Sequence, residues 1–362
     1  MRGMIKGLMA TATAVVGSLG ATALAGEGNL WFYAWNNTIP LEVVQEFGER
    51  HGTTLVVDTF MVADEAEARL AAGRSGYDLA VVPVEMLPRL VSIDALHKFD
   101  PEERAQLNGS HPRLMDRLSE AVPMASDYAV PFLWGTTGVM VDIDDVLERV
   151  PETALNSWDL VFNPEYAEAL SDCGITIVDA VQEVVAVALN YLGRDPNSMA
   201  EDDLDVAFDL LAGIMPYVRT IDGSQQEQVL QNEACLALTW SSDALAPQSL
   251  LGRDEIRYFV PQEGTVLWAD VLVWPNESGH FEHKHVLLKY LNEPGVLAKI
   301  SQFSLALTDI PTTHEAMQSL DLDVLEQIAP KQRREQLFML TPRTGEEKRI
   351  LDRRWRRMQL GL

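Results

Sequence analysis

Apolar positions along this chain follow two alternating periods. Leu30-Trp31-Phe32-Tyr33-Ala34-Trp35 is a nearly continuous apolar run and reads as a buried strand. Asn36 and Asn37 follow with turn chemistry. Leu41, Val43, Val44 and Phe47 then mark a helix from about Pro40 to Arg50, stopped by His51-Gly52. Thr54 to Phe60 predicts a second strand, Glu65 to Ala72 a helix, and Tyr77 to Pro83 a third strand. Alternation of this kind predicts an α/β lobe. In such sheets, ligands sit beyond the carboxyl ends of strands. Trp35 and the turn Pro83-Val84-Glu85 both lie at such ends.

The pattern is looser further on. Val130 to Val141 reads as a strand pair interrupted by Gly and Thr, and as a crossing between two lobes. Asp179 is placed to cap a helix running to Leu192, with Val181, Val184, Val185, Ala188 and Leu189 along one side. Asn190 to Ser198 is a helix stop and turn, and Leu204 to Leu211 a further helix. Strands are expected at Ala234–Trp240, Arg257–Val260 and Thr265–Trp274, with Pro261-Gln262-Glu263-Gly264 as a second crossing. Helices are expected at His283–Tyr290, Pro294–Phe303 and Glu346–Met358.

The first residues change the setting. Arg2 and Lys6 precede a small, apolar stretch that ends in Ala23-Leu24-Ala25, the pattern of a secretory signal peptide cleaved after Ala25. No Cys follows that site, so no lipid anchor is expected. The exported protein should be soluble and, in a Gram-negative cell, periplasmic. The rest of the 362-residue chain exceeds one typical domain. The expected division is 1–25 as signal peptide, 26–133 with 262–306 as the first lobe, and 134–261 with 307–362 as the second.

The formal charge of −26 disfavours binding to nucleic acid or anionic lipid. It serves solubility as readily as it steers cations. The basic tail around Arg353-Arg354-Trp355-Arg356-Arg357 therefore reads as a solvated helix packing through Trp355. Cys173 and Cys235 make an even pair, which in an exported chain suggests one disulfide, the alternative being two buried thiols. No Cys/His spacing supports a metal or redox site, and no cofactor is expected.

Aromatics interleaved with carboxylates carry the chemistry: Trp35, Glu183, Trp240 with Asp243, and Trp268 with Asp270. An indole face attracts a cation, and a carboxylate accepts its N–H bonds. If these segments converge, they hold an organic ammonium ion. Each residue also has a plainer reading. The tryptophans fill strands, Glu183 and Asp243 favour helix starts, and Asp270 forms a salt bridge. An enzyme is not expected. Ser241, Asp243 and a distant His lack a G-x-S-x-G elbow, and His51, His97, His111, His283, His285 and His314 stand in polar or loop-like contexts.

Several motifs occur together and in order: FYAWNNTI, GYDLAVVP, LWGTTGVMVDID, NSWDLVFNPE, LNYLGRDPNS, TWSSDA, ADVLVWP and RRWRRM. At these residues the chain resembles the periplasmic polyamine-binding proteins of ABC importers, over nearly its whole length after residue 25. The resemblance implies a type II periplasmic-binding-protein fold. Each lobe is then a central mixed sheet flanked by helices, with the ligand cleft between lobes that close by a hinge. It implies ligand-contacting roles for Trp35, Glu183, Trp240, Asp243, Trp268 and Asp270, and for Ser224 in the second lobe. It also implies that Cys173 and Cys235 pair.

Where the family shows a hydroxyl residue, an Asp and a Tyr after its first tryptophan, this chain has Asn36, Asn37 and Thr38. A Ser is replaced by Val84 and a Tyr by Ala306. The expected pocket keeps one ammonium site, while the remainder is wider, less anionic and lined by amides. A longer or acylated polyamine, or a different cationic amine, would suit it. The implied partners are that small amine and the membrane permease of an importer, with no nucleic acid and no membrane insertion, and the protein acting as a monomer. A receptor presenting its closed form to a sensor is the alternative.

Overall fold

The opening apolar run forms β1 (Leu30–Trp35), which lies parallel to β2 (Leu55–Phe60) and β3 (Leu79–Pro83). The helices Leu41–His51 and Ala63–Ala71 connect them. Gly52 ends the first helix in the left-handed conformation, φ 66°, as a C-terminal glycine should. This is a computed structural model describing residues 29–73, 75–107, 112–223, 225–276, 281–308 and 326–362. The export segment expected at 1–25, Ser224, His111 and His314 lie outside the described residues.

The expected strand pair at 130–141 is one continuous strand, β4 (Ala129–Asp142). Its first part, to Thr136, pairs antiparallel with β9 (Leu267–Val273). From Thr137 onward it pairs with β7 (Leu236–Trp240), and from Val139 also with β8 (Ile256–Phe259). One strand thus carries two half-sheets. The first runs β2-β1-β3-β9-β4 and the second β4-β7-β5-β6, with β5 (Ile175–Val178) and β6 (Val218–Asp222) parallel to each other. Both halves mix parallel and antiparallel neighbours.

Glycine explains why β4 looked interrupted. A Cβ at Gly135 would lie 2.3 Å from the Trp268 ring, and one at Gly138 2.5 Å from the Phe259 carbonyl oxygen. Both positions admit a neighbour that any side chain would displace. β5 and β6 had no sequence forecast. ITIV is too short an apolar run to separate strand from helix, and β6 is only half-buried.

Asp179 does not cap its helix. The helix runs Val181–Tyr191 behind Ala180, without a side-chain cap. Asp179 instead accepts the Trp355 indole N–H at 3.0 Å. Trp355 belongs to the C-terminal helix Gly345–Gln359, and a carboxylate engaged with that ring is withdrawn from the helix end. This last helix is as amphipathic as expected, burying Leu351, Trp355 and Met358 against the second half of the molecule.

Several family-like motifs serve the crossings. Asn190 donates to the carbonyls of Glu263 and Gly264, Trp158 donates to Gly264, and Asn197 pairs with Thr341 and Met339. These bonds satisfy backbone where the chain changes halves and could not otherwise pair. The disulfide Cys173–Cys235 joins the turn before β5 to the start of β7, inside the second half. Among the described residues, no helix is long and apolar enough to cross a membrane.

Candidate ligand-binding site

The parallel strands of both halves end on the same region. Trp35 closes β1, Pro83 closes β3 and Trp240 closes β7, while β5 leads into the helix that carries Glu183 in its first turn. Asp270 stands in β9 opposite Pro83 and Leu133, and Trp268 opposite Gly135. The carboxyl ends of strands are where an open α/β sheet leaves its crevice.

Glu183 is the best-defined group. It accepts the Trp240 indole N–H at 3.0 Å and the Thr137 hydroxyl. It is surrounded by protein yet keeps some accessible surface, as a residue lining a cleft does. Burial raises its pKa, and the two donors oppose that rise. Thr137 had no sequence assignment. Only its place in β4, facing the helix start, reveals its role.

Asp270 comes from the other half. It is 9% exposed, and burial pushes its pKa up to about 7. The nearby Trp35 indole N–H favours the ionised form, without closing a hydrogen bond of good geometry. The Glu183 charge raises the Asp270 pKa across the gap between the halves. Trp268, half-buried, leaves its indole N–H covered and without a partner. Its ring occupies the space that Gly135 vacates.

Asp243 lies in the first turn of the helix Ser241–Leu251, and burial raises its pKa to about 6. The neighbouring Ser241 hydroxyl instead accepts the Thr136 backbone N–H at 3.2 Å. Asn36 and Asn37 sit in an exposed turn, Asn37 in the left-handed conformation that Asn tolerates. Thr38 is buried behind them. Val84, 1% exposed, packs into the first-half core together with Met86. Ala306 is buried in a separate cluster with Phe32, Phe132 and Trp274.

Glu85 is the residue that the sequence reading passed over. It sits between Val84 and Met86 in the turn after β3, partly covered, with its pKa pushed up to about 7 by burial first, then by the charges of Glu183 and Asp270. The signal was available, as an acid inside the apolar stretch Val81–Leu87 at a strand's carboxyl end. Among the described residues, Glu85, Glu183, Asp243 and Asp270 form no ion pair. No group of acids and imidazoles there is arranged to hold a metal. Glu85, Glu183 and Asp270 thus influence one another at the strand ends, with Trp35 beside Asp270 and Trp240 bonded to Glu183, and Lys348 is the cation that acts on Glu85. Asp243 feels Glu227 instead.

Residues 42–327 match the family model described as bacterial extracellular solute-binding protein. The chain is 34% identical over 310 residues to the putrescine/agmatine-binding protein of Pseudomonas aeruginosa, covering 83% of this chain and 84% of that one. It is 32% identical to the putrescine-binding periplasmic protein PotF of Escherichia coli, covering 82% and 81%. Among solved structures, the spermidine/putrescine ABC transporter substrate-binding protein PotD of Streptococcus pneumoniae superposes with a TM-score of 0.76. The identity is 20%, over 92% of this chain and 99% of that chain. The last likeness establishes the two-lobed fold.

Proposed function

The chain belongs to the bacterial extracellular solute-binding proteins, and from that premise we propose that it captures a cationic amine of the polyamine class between its lobes and delivers it to the permease of an ABC importer. The observation that carries this reading is the meeting of Asp270 from one half with Glu183 from the other, each raised in pKa by burial and neither neutralised by a side-chain cation among the described residues. Burying such acids is costly until a cation arrives. An ammonium group supplies the charge and up to three N–H donors, and the faces of Trp35 and Trp268 cover the methylenes beside it.

Closure follows from differential contact. Without ligand, acids on the two halves repel one another. A dication touching both favours the shut form, which is the only way a ligand can shift such an equilibrium. The change of β4 partners at Thr136/Thr137 supports a lobe division close to 133/134, with the return crossing near 262. The relatives' names, the sequence features of residues 1–25 and the single disulfide support a periplasmic setting. Trp35, Asp270, Glu183, Trp240, Trp268 and Asp243 are the proposed contacts. Asn36, Asn37 and Thr38 form the rim beside Trp35.

Titration calorimetry with putrescine, agmatine, cadaverine and spermidine tests the reading, beside mass spectrometry of ligand released on denaturation. Saturable binding of at least one cationic amine at micromolar concentration or below is expected. Absence of heat from every cationic amine would refute the ligand class, and conversion of a bound amine to another compound would refute a purely receptive role.

A further inference from the structure

The turn after β3 presents an acid where only packing residues flank it. Val84 and Met86 point into the core at 1% and 6% exposure, and Glu85 between them keeps accessible surface. The turn packs on β9, whose Asp270 is paired in register with Pro83, two residues before Glu85. The groups facing Glu85 are its own backbone N–H, Asp270 from β9, Glu183 from the helix of the other half, and Lys348 from the C-terminal helix. Lys348 is already held by Glu67 at 2.8 Å. Two further observations mark the same space. The covered indole N–H groups of Trp35 and Trp268 lack partners, and Asp270 has nine-tenths of its surface covered with no ion pair among the described residues.

We propose that Glu85 is itself a ligand-binding carboxylate, sharing with Asp270 and Glu183 one terminal ammonium group of a diamine or polyamine. This rests on the receptor reading above and adds to it. The negative charge absent at Asn37 is present instead at the end of β3, so the pocket is concentrated in charge at one terminus rather than depleted. Three acids then match the three N–H donors of a primary ammonium. The empty site holds Glu85 and Asp270 partly protonated at neutral pH. Seating an ammonium group ionises both carboxylates, and each proton lost passes to the buffer.

The test is calorimetry of the wild type and Glu85→Gln with putrescine, spermidine and the monoamine butylamine, at pH 7 in two buffers of different ionisation enthalpy. Melting of the unliganded proteins is followed in parallel. The expected result is a tenfold or greater loss of putrescine affinity in E85Q and fewer protons released per ligand bound. The melting temperature of the empty protein should be unchanged or higher, because the amide removes a repelled charge. Wild-type affinity with wild-type proton release in E85Q would overturn the proposal. Should E85Q fail to fold, Glu85→Asp keeps the charge on a shorter arm. A tenfold loss in E85D supports the proposal, and unchanged affinity overturns it. A wild type that binds no amine at all would instead remove the receptor reading beneath it.

Discussion

Asp270 shows how a single side chain sets the chemistry. An Asp inside an apolar strand demands a partner; that much was legible in the residues, while its ligand-contacting role was what the family resemblance implied. In the proposed site, replacing it by Asn removes one of the counter-charges offered to the ligand's ammonium. Putrescine affinity should fall by about 2–5 kcal/mol, read by calorimetry. Trp268→Ala should cost less, about 1–2 kcal/mol, because it removes a ring face and not a charge. Legibility at this scale was uneven. Residues whose type conflicts with their surroundings, such as Asp270 and Glu183, stood out. Thr137 did not, since a hydroxyl in a strand has many uses, and its bond to Glu183 joins positions 46 residues apart. Glu85 conflicted with its neighbours just as Asp270 did. An acid in a turn has an ordinary solvent-facing reading, and nothing in the sequence shows that Glu183 and Asp270 lie near it.

Among the elements, strands and helices with a full period of apolar residues were readable: β1, β2, β3, β7, β9 and the helix Val181–Tyr191 lie where the pattern put them, within a few residues. Those that failed were short or shared. β5 has four residues, and β4 was split in two because its glycines look like breaks. In the folded chain they are seats for Trp268 and for Tyr258. Gly135→Ala should therefore weaken ligand binding as well as the fold, through displacement of the Trp268 ring. Calorimetry and thermal melting together would register both losses. The disulfide acts on one half only. It closes a 62-residue separation, for which chain entropy gives about 4 kcal/mol. The double variant Cys173→Ser, Cys235→Ser should lose stability of that order in urea unfolding, with ligand affinity nearly unchanged. The bond lies at the far side of the second half from Glu183 in sequence connectivity, at the amino ends of β5 and β7.

At the scale of the whole molecule, the acids that form no ion pair among the described residues lead to an expected response to pH. Glu85 and Asp270 are raised to about 7 from ordinary values of 4.5 and 3.8. Between those limits the folded protein keeps protons that the unfolded chain has released. Stability of the empty protein should therefore fall as pH rises from about 4 through about 7 and level off above that window, which urea unfolding across the range would read. Ligand affinity runs the other way. The bound form needs ionised acids, so the putrescine dissociation constant should drop between pH 6 and pH 8. Calorimetry across that range tests the sign, and an affinity independent of pH would contradict it. A contact between the halves also contributes: Lys348 of the C-terminal helix pairs with Glu67 of the helix Ala63–Ala71, which Arg89 also approaches at 3.4 Å. This pair is half-exposed, so Lys348→Ala should weaken binding less than tenfold. Finally, β4 passes unbroken from one half-sheet into the other. In the proposed receptor, loading and unloading would flex one continuous ribbon, as a leaf spring bends, instead of swinging two jaws on a slack tether. The relative orientation of the jaws would then be inherited from one cycle to the next, and a permease receiving the proposed cargo would meet the same outline each time.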